Sequence, residues 1–322
     1  MPYRSMVSRG GAVVYVSRER APGFPFWRAA ALAVLVVACG ETCHAAATPI
    51  PSLFNTGFGV DRRELSDGAV DPHYTLVSVP SNSGAGFLSF VTRSDRFPLS
   101  TQPGGWLPDD ATSKWISPQA DQSSYVGITS AALGYYVYRT YFNLSSFVPR
   151  TARITGRWST DNYGLDVLIN GTSTGITHDD PNMQFHAFSD FGITSGFVDG
   201  VNTLDFVVSN PGDPGIINPT GLRVEMTGAA ALPLPGDANR DGAVGFADLL
   251  TLAQHYGQTG TRDQGDFNAD GRIAFDDLLI LAQHYGQALP GTTQLGAAVE
   301  AIPEPVGMGM LLAPLVFRRR RG

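Results

Sequence analysis

The feature that most restricts how this chain can fold is a duplication with a period of 29 residues. Gly236-Asp237-Ala238-Asn239-Arg240-Asp241-Gly242 aligns with Gly265-Asp266-Phe267-Asn268-Ala269-Asp270-Gly271, and both copies run on to the string Leu-Ala-Gln-His-Tyr-Gly, at 252–257 and 281–286. In each copy a polar, Asp-rich loop leads into a helical pattern, with Leu249, Leu252, Ala253 and Tyr256 on one face in the first and Leu278, Leu281, Ala282 and Tyr285 in the second. No helix enters the first loop, because Pro233 and Pro235 precede it and proline cannot continue one.

The loops have the chemistry of a hard, oxygen-seeking cation. Asp237, Asn239 and Asp241 stand at loop positions 1, 3 and 5, where alternate side chains converge on a point. Gly242 supplies the sharp turn at position 6, the Ala243 carbonyl offers a backbone oxygen at position 7, and Asp248 closes the shell at position 12. The same roles fall to Asp266, Asn268, Asp270, the Arg272 carbonyl and Asp277 in the second loop. With no thiolate and no loop nitrogen ligand, this set suits Ca²⁺ rather than Zn²⁺, one ion per loop.

A calcium loop with only an outgoing helix, duplicated within about 60 residues, resembles the type I dockerin over 236–287. The resemblance implies a small all-α module that folds on two Ca²⁺ ions and docks onto a cohesin domain. Loop positions 10 and 11, which often hold Ser-Thr-like pairs in dockerins with known cohesins, here hold Phe246-Ala247 and Phe275-Asp276. A cohesin-like partner is expected, without the familiar specificity code. His255 and His284 recur at the helix ends, where a cation favours the dipole, and are read as structural.

Both termini carry addresses. Arg18, Arg20 and Arg28 precede an apolar run at 29–38, and His44-Ala45-Ala46-Ala47 offers small residues to signal peptidase, so 1–47 reads as a secretory signal. A second reading takes Val36-Val37-Ala38-Cys39 as a lipobox with Cys39 lipidated. At the other end, Pro303-Glu304-Pro305 is followed by a mostly apolar stretch at 306–317 and then Arg318-Arg319-Arg320-Arg321. This three-part order over 303–322 resembles the PEP-CTERM sorting signal of Gram-negative bacteria. That resemblance implies processing by an exosortase, transient anchorage in the inner membrane through this tail, and release to the outer surface or beyond.

Between these ends the charge is one-sided. Residues 48–305 carry 13 basic against 27 acidic side chains, a surface that repels nucleic acid and anionic lipid. Both cysteines, Cys39 and Cys43, fall in the signal segment, so no disulfide framework is expected in the mature protein.

Residues 48–228 alternate in short apolar runs between turn residues, at 74–79, 86–91, 135–144, 152–159, 165–169, 203–209 and 222–226. Asn170-Gly171 is a strong type I′ hairpin signal. The expected fold is therefore mainly β: an antiparallel β-sandwich, joined by a linker (229–235) to the dockerin module and followed by a second linker (288–302). The stretch Gly156-Arg157-Trp158-Ser159-Thr160-Asp161-Asn162, with Asp166-Val167-Leu168-Ile169-Asn170-Gly171, resembles the galactose-binding-like sandwiches found as accessory modules of secreted bacterial proteins.

Three site readings arise in this domain. Gly171-Thr172-Ser173-Thr174-Gly175 matches G-x-S-x-G, but it sits on a hairpin tip rather than the strand-to-helix turn a nucleophile elbow needs. A glycosidase needs two carboxylates across a cleft, and the domain has only two Glu, Glu64 and Glu225, among Asp residues that mostly read as turn formers. Trp106, Trp115 and Tyr163 are the candidates to stack on sugar rings, whereas Trp158 lies inside a strand and reads as core. The functional expectation is a non-enzymatic exported protein that assembles through its calcium loops and binds polysaccharide on its β domain; the alternative is a dockerin-tethered polysaccharide-degrading enzyme.

Overall fold

Strict alternation of inward and outward side chains produces the β domain. The structure is a computed structural model that describes residues 47–81, 83, 85–100, 105–122, 134–211 and 218–290. The expected signal segment up to residue 46, and with it Cys39 and Cys43, lies outside the described residues, as do 291–302 of the expected second linker and the Pro303-Glu304-Pro305 tail. No helix among the described residues is long and apolar enough to cross a membrane.

The strands are β1 (Thr48–Pro49), β2 (Val70–Ser78), β3 (Leu88–Val91), β4 (Ile116–Ser117), β5 (Gly134–Asn143), β6 (Arg153–Asp161), β7 (Tyr163–Ile169), β8 (Thr172–Ser173), β9 (Ser189–Ile193), β10 (Val201–Asn210) and β11 (Gly221–Ala230). Two helices follow, α1 (Phe246–His255) and α2 (Phe275–His284). Each of the seven expected runs lies largely within a strand. The expected hairpin is also present: Asn170 and Gly171 have φ of 49° and 78°, and Ile169 pairs with Thr172 across the turn.

The expectation of separate sandwiched sheets is corrected. All strands belong to one antiparallel sheet in the order β8-β7-β10-β5-β2-β3-β4-β11-β6-β9, with β1 on β11. Short β3 and β4 close the gap between what would otherwise be two layers. The sheet curls until strands far apart in that order face one another. The ring of Trp158 on β6 lies 5.7 Å from Phe206 on β10, and Phe191 on β9 lies 6.1 Å from the same ring. Tyr138, Phe142, Leu204 and Val224 fill the space between, all buried. On the outer face of β5 and β10, Arg139 and Asp205 stand directly opposite and pair through two hydrogen bonds of 2.6 and 2.7 Å.

A second layer lies on the outside of β6 and β11. Arg223 of β11 is buried there, donating to Ser113 Oγ at 2.7 Å, to the Pro108 carbonyl, and pairing with Asp110 at 2.9 Å. Glu225 accepts from Ser113 and from Arg157 at 2.8 and 2.7 Å, and Phe188 lies beneath both guanidinium groups. A buried arginine is tolerated because its charge is paired with Asp110 and its Nε and Nη1 donate to Ser113 and the Pro108 carbonyl.

Residues 229–235, expected as a linker, are not a free tether. β11 runs on to Ala230, the Val148 N–H donates to the Ala231 carbonyl at 2.9 Å, and Leu234 is buried in the cluster that forms the interior of the repeat segment. That cluster also contains Val148 from the sheet side and Leu289, two residues beyond the expected end of the repeat.

Because Phe206 touches rings from both halves of the curled sheet, Phe206→Ala is expected to lower stability by about 3–5 kcal/mol. Urea unfolding would register this as a lower midpoint with an unchanged slope, and a midpoint within error of the parent protein would count against the packing described.

Candidate metal centre

Each repeat loop is built around two carboxylates that hold backbone. In loop 1, Asp248 Oδ1 accepts the Ala238 N–H at 2.9 Å and Oδ2 accepts the Gly245 N–H at 2.8 Å. Gly245 is the N-cap of α1 and has no side chain to offer, so Asp248, three residues in, caps the helix instead. In loop 2, Asp277 repeats these bonds to Phe267 and Ala274, both at 2.8 Å. At position 1, Asp237 Oδ2 accepts the Gly242 N–H and Asp266 Oδ2 accepts the Gly271 N–H, each at 2.9 Å. Position 4 is in the left-handed region in both loops, with φ of 55° at Arg240 and 61° at Ala269. The bend lets positions 1, 3 and 5 turn toward one another.

The loops thus bring together the expected side chains. Asp241 and Asp270 at position 5 each accept from their position 3 partners, Asn239 and Asn268, at 3.1 and 3.0 Å. Ala243 and Arg272 at position 7 lie in antiparallel bridges to Ala288 and Thr259. One oxygen has no hydrogen-bond partner: Asp237 Oδ1, although Asp237 is fully buried. Burial, together with the neighbouring Asp248 and Asp241 carboxylates, raises the Asp237 pKa to about 6 against the backbone bond from Gly242. A buried, unpartnered carboxylate oxygen beside two more carboxylates fits a bound cation. Among the described residues, no three His, Cys, Asp or Glu side chains are already drawn into a metal cage; in both loops the carboxylates hold backbone N–H groups.

The two loops are interlocked through residues that the ligand pattern does not point to. Val244 and Ile273, at position 8, are fully buried. Val244 exchanges backbone hydrogen bonds with Gly286 and Gln287 beyond α2, at 2.8 and 2.9 Å, while Ile273 does the same with Gly257 and Gln258 beyond α1. Gly257 and Gly286 take φ of 80° and 83°, which explains why glycine ends the repeated string in both copies. The helix face differs in part from the sequence pattern. Leu252 and Leu281 are buried, but Tyr256 and Tyr285 sit just past the helix ends in non-helical backbone and are 50% and 53% exposed. His255 and His284 turn Nδ1 to the carbonyls of Thr251 and Ile280, at 2.9 and 2.8 Å, closing the last turn. The most exposed apolar side chains of the segment are Phe246 and Phe275, at 69% and 63%.

The aromatic platform expected on the β domain is corrected. Trp106 and Trp115 are 1% and 0% exposed, with ring centroids 4.3 Å apart. Their Pro- and Gly-containing segment folds back over the sheet, and both indole N–H groups are used internally: Trp106 donates to Asp161 Oδ2 at 2.6 Å, Trp115 to the Leu107 carbonyl at 2.8 Å. Tyr163 is half-buried at the start of β7. Among the described residues of this domain, the exposed large aromatics are instead Phe87, just before β3, at 66%, and Tyr135 and Tyr141, both on the outer face of β5, at 60% and 51%. Alternation along β5 is the sequence signal that could have found the two tyrosines. As for the carboxylates, Glu225 is tied to Arg157, and Glu64 lies 3.6 Å from Lys114.

No family model matches the sequence, and no curated protein matches it. Among solved structures, the chain is similar to one described as a type II cohesin-dockerin domain from Bacteroides cellolosolvens, with 42% identity over 18% of this chain and 92% of that chain, at a TM-score of 0.16. A GH31 alpha-xylosidase from Xanthomonas citri aligns over 65% of this chain and 24% of that chain, with 8% identity and a TM-score of 0.19, too low to bear on fold or function.

Asp161 supplies a test of the Trp106 arrangement. Burial raises its pKa from 3.8 to about 8, against the lowering effect of the Trp106 bond, so its carboxyl is neutral in the folded chain at pH 7. The unfolded chain loses this proton near pH 4 and the folded chain only near pH 8, so the folded state holds more protons in between and stability falls as pH rises through that window. The contribution approaches about 1.4 kcal/mol per pH unit. Asp71 and Asp109 act in the same direction only up to about pH 6. Denaturant midpoints between pH 6 and 8 are therefore expected to fall in the parent protein and to flatten in Asp161→Asn; parallel profiles would contradict the assignment.

Proposed function

We propose that this chain is an exported assembly protein, in which two calcium ions fill the loops at 237–248 and 266–277 and the loaded segment docks onto a cohesin-like partner. The observation that carries the calcium reading is Asp237 Oδ1, buried without a hydrogen-bond partner beside Asp241 and Asp248. Bound calcium would be held by Asp237, Asn239, Asp241, the Ala243 carbonyl and Asp248, and by Asp266, Asn268, Asp270, the Arg272 carbonyl and Asp277. Its charge would relieve the repulsion among the carboxylates, which this chain's own N–H groups offset only in part. The dockerin reading draws on the duplicated loop and outgoing helix, and 42% identity to a chain described as a cohesin-dockerin domain points the same way. Phe246 and Phe275, exposed at equivalent positions, give such a partner an apolar surface in place of a hydroxyl pair.

On this reading the chain is divided as the sequence suggests, with 1–47 directing export and 303–322 directing sorting at the outer surface of a Gram-negative cell. The β domain would follow the galactose-binding-like modules that 156–171 resembles, and would hold a neutral polysaccharide. Tyr135 and Tyr141, two exposed rings on one face of β5, are the pair proposed to stack on sugar rings, and the acidic surface disfavours polyanionic glycans.

Two measurements test these readings. Ellipticity at 222 nm is expected to rise with CaCl₂ and fall with chelator, and the response should disappear in the Asp237→Ala, Asp266→Ala double variant. A double variant indistinguishable from the parent in both conditions would end the calcium reading. On a glycan array, Tyr135→Ala with Tyr141→Ala is expected to lose any signal of the parent protein by about tenfold or more, equivalent to 1–3 kcal/mol of stacking. Retention of full binding would move the site off β5.

A further inference from the structure

The two loops match in their ligands but differ at position 4. Loop 2 has Ala269 there, whereas loop 1 has Arg240, whose side chain is 14% exposed and leaves the loop altogether. Its guanidinium donates to Asp199 Oδ1 at 2.7 Å, in the turn before β10, and to both oxygens of Asp263 at 2.6 and 2.7 Å, in the segment leading into loop 2. One side chain of the first loop thus joins the β domain, loop 1 and the second repeat. The β domain answers with a cation: Arg150, in the 3₁₀ turn Pro149–Thr151, lies 4.0 Å from the loop ligand Asp241. Beneath these charges the seam is apolar and hydrogen-bonded. Val148 is fully buried with Val244, Leu252, Ile273 and Leu281, and Thr151 Oγ1 accepts the Ala231 N–H at 2.8 Å.

Arg240 is held in a left-handed backbone conformation that a side chain rarely adopts unless its surroundings fix it. It lies between Asn239 and Asp241, so whatever gathers positions 1, 3 and 5 also sets the direction of its Cβ. We propose that loop 1 is the docking element that holds the repeat segment on its own β domain, and that loading loop 1, rather than loop 2, with calcium stabilises that domain. The proposal rests on the calcium reading above. Among the described residues no charged side chain of loop 2 pairs with the β domain, which it meets through the apolar cluster of Ile273 and Val148, so its cation acts chiefly on the repeat segment. The segment thus presents the Phe246 and Phe275 surface in a fixed orientation relative to the sheet.

The chain provides separate reporters for the two parts. Trp106, Trp115 and Trp158 lie in the β domain, the fourth tryptophan, Trp27, stands in the expected signal segment, and the repeat segment contains none. Thermal unfolding of the protein without residues 1–47 would be followed by tryptophan fluorescence for the sheet and by ellipticity at 222 nm for the helices, in CaCl₂ and in EGTA. Calcium is expected to raise the tryptophan-detected midpoint by about 3 °C or more. The rise should be lost in Asp237→Ala, retained in Asp266→Ala, and at least halved in Arg240→Ala. Asp199→Asn, which leaves both loops untouched, should likewise lose at least half of it while its helices still respond to calcium. If the helices respond but the parent's tryptophan midpoint does not, or if Asp199→Asn keeps the full rise, the coupling is wrong and the calcium reading stands. If neither signal responds, the calcium reading itself fails, and the coupling fails with it.

Discussion

A carboxylate twelve residues into each loop closes it at both ends. Asp248 holds the Ala238 and Gly245 amides and Asp277 holds those of Phe267 and Ala274, so each side chain fixes the start of a loop against the start of a helix. Everything in the repeat segment follows from that closure. Helices of ten residues are too short to persist alone in water, and each needs its first turn capped and its apolar side covered. The cover comes from the other repeat. Because Val244 pairs beyond α2 and Ile273 beyond α1, neither copy is complete without its twin. The duplication is a requirement of the packing.

The closure also concentrates negative charge. Asp237, Asp241 and Asp248 share loop 1, and the backbone amides that hold them leave Asp237 Oδ1 without a partner. The β domain manages the opposite problem in the opposite way. Its buried Arg223 is surrounded by Ser113, Asp110 and the Pro108 carbonyl, so its positive charge faces a carboxylate within the domain. In loop 1 three carboxylates share one site with no cation of the loop among them.

What could be read in advance divides along the same line. The Asp and Asn residues of the loops follow a fixed spacing set by local backbone geometry, so 237–248 and 266–277 were legible as two equivalent sets. Strands that alternate over a longer apolar run, β2, β3, β5, β6, β7, β10 and β11, were legible too, whereas β9, with only Phe191 and Ile193 turned inward, was not. Two-residue strands such as β1, β4 and β8 carry no period, and it is β4, with β3, that turns two expected layers into one sheet. Trp106 and Trp115 misled for a different reason. Proline and glycine around them signal irregular backbone, which is commonly at the surface, but here that segment folds back as a covering layer over β6 and β11. The Trp106 N–H finds its acceptor in Asp161, distant in sequence, which local composition cannot report. Val244 and Ile273 were overlooked because their partners lie beyond the far ends of the helices.

The continuity of β11 with the repeat segment has a mechanical meaning. β11 lies antiparallel to β6 through nine successive residue pairs and passes, without an intervening flexible stretch, into residues held by Val148, Thr151 and Arg262. A pull on the repeat segment directed along the axis of β11 would shear that whole ladder at once, because inter-strand bonds lie across the strand direction. Bonds loaded side by side share the force, whereas bonds peeled from one end break in turn. Tension transmitted from an assembled partner would therefore meet the protein along its stiffest line.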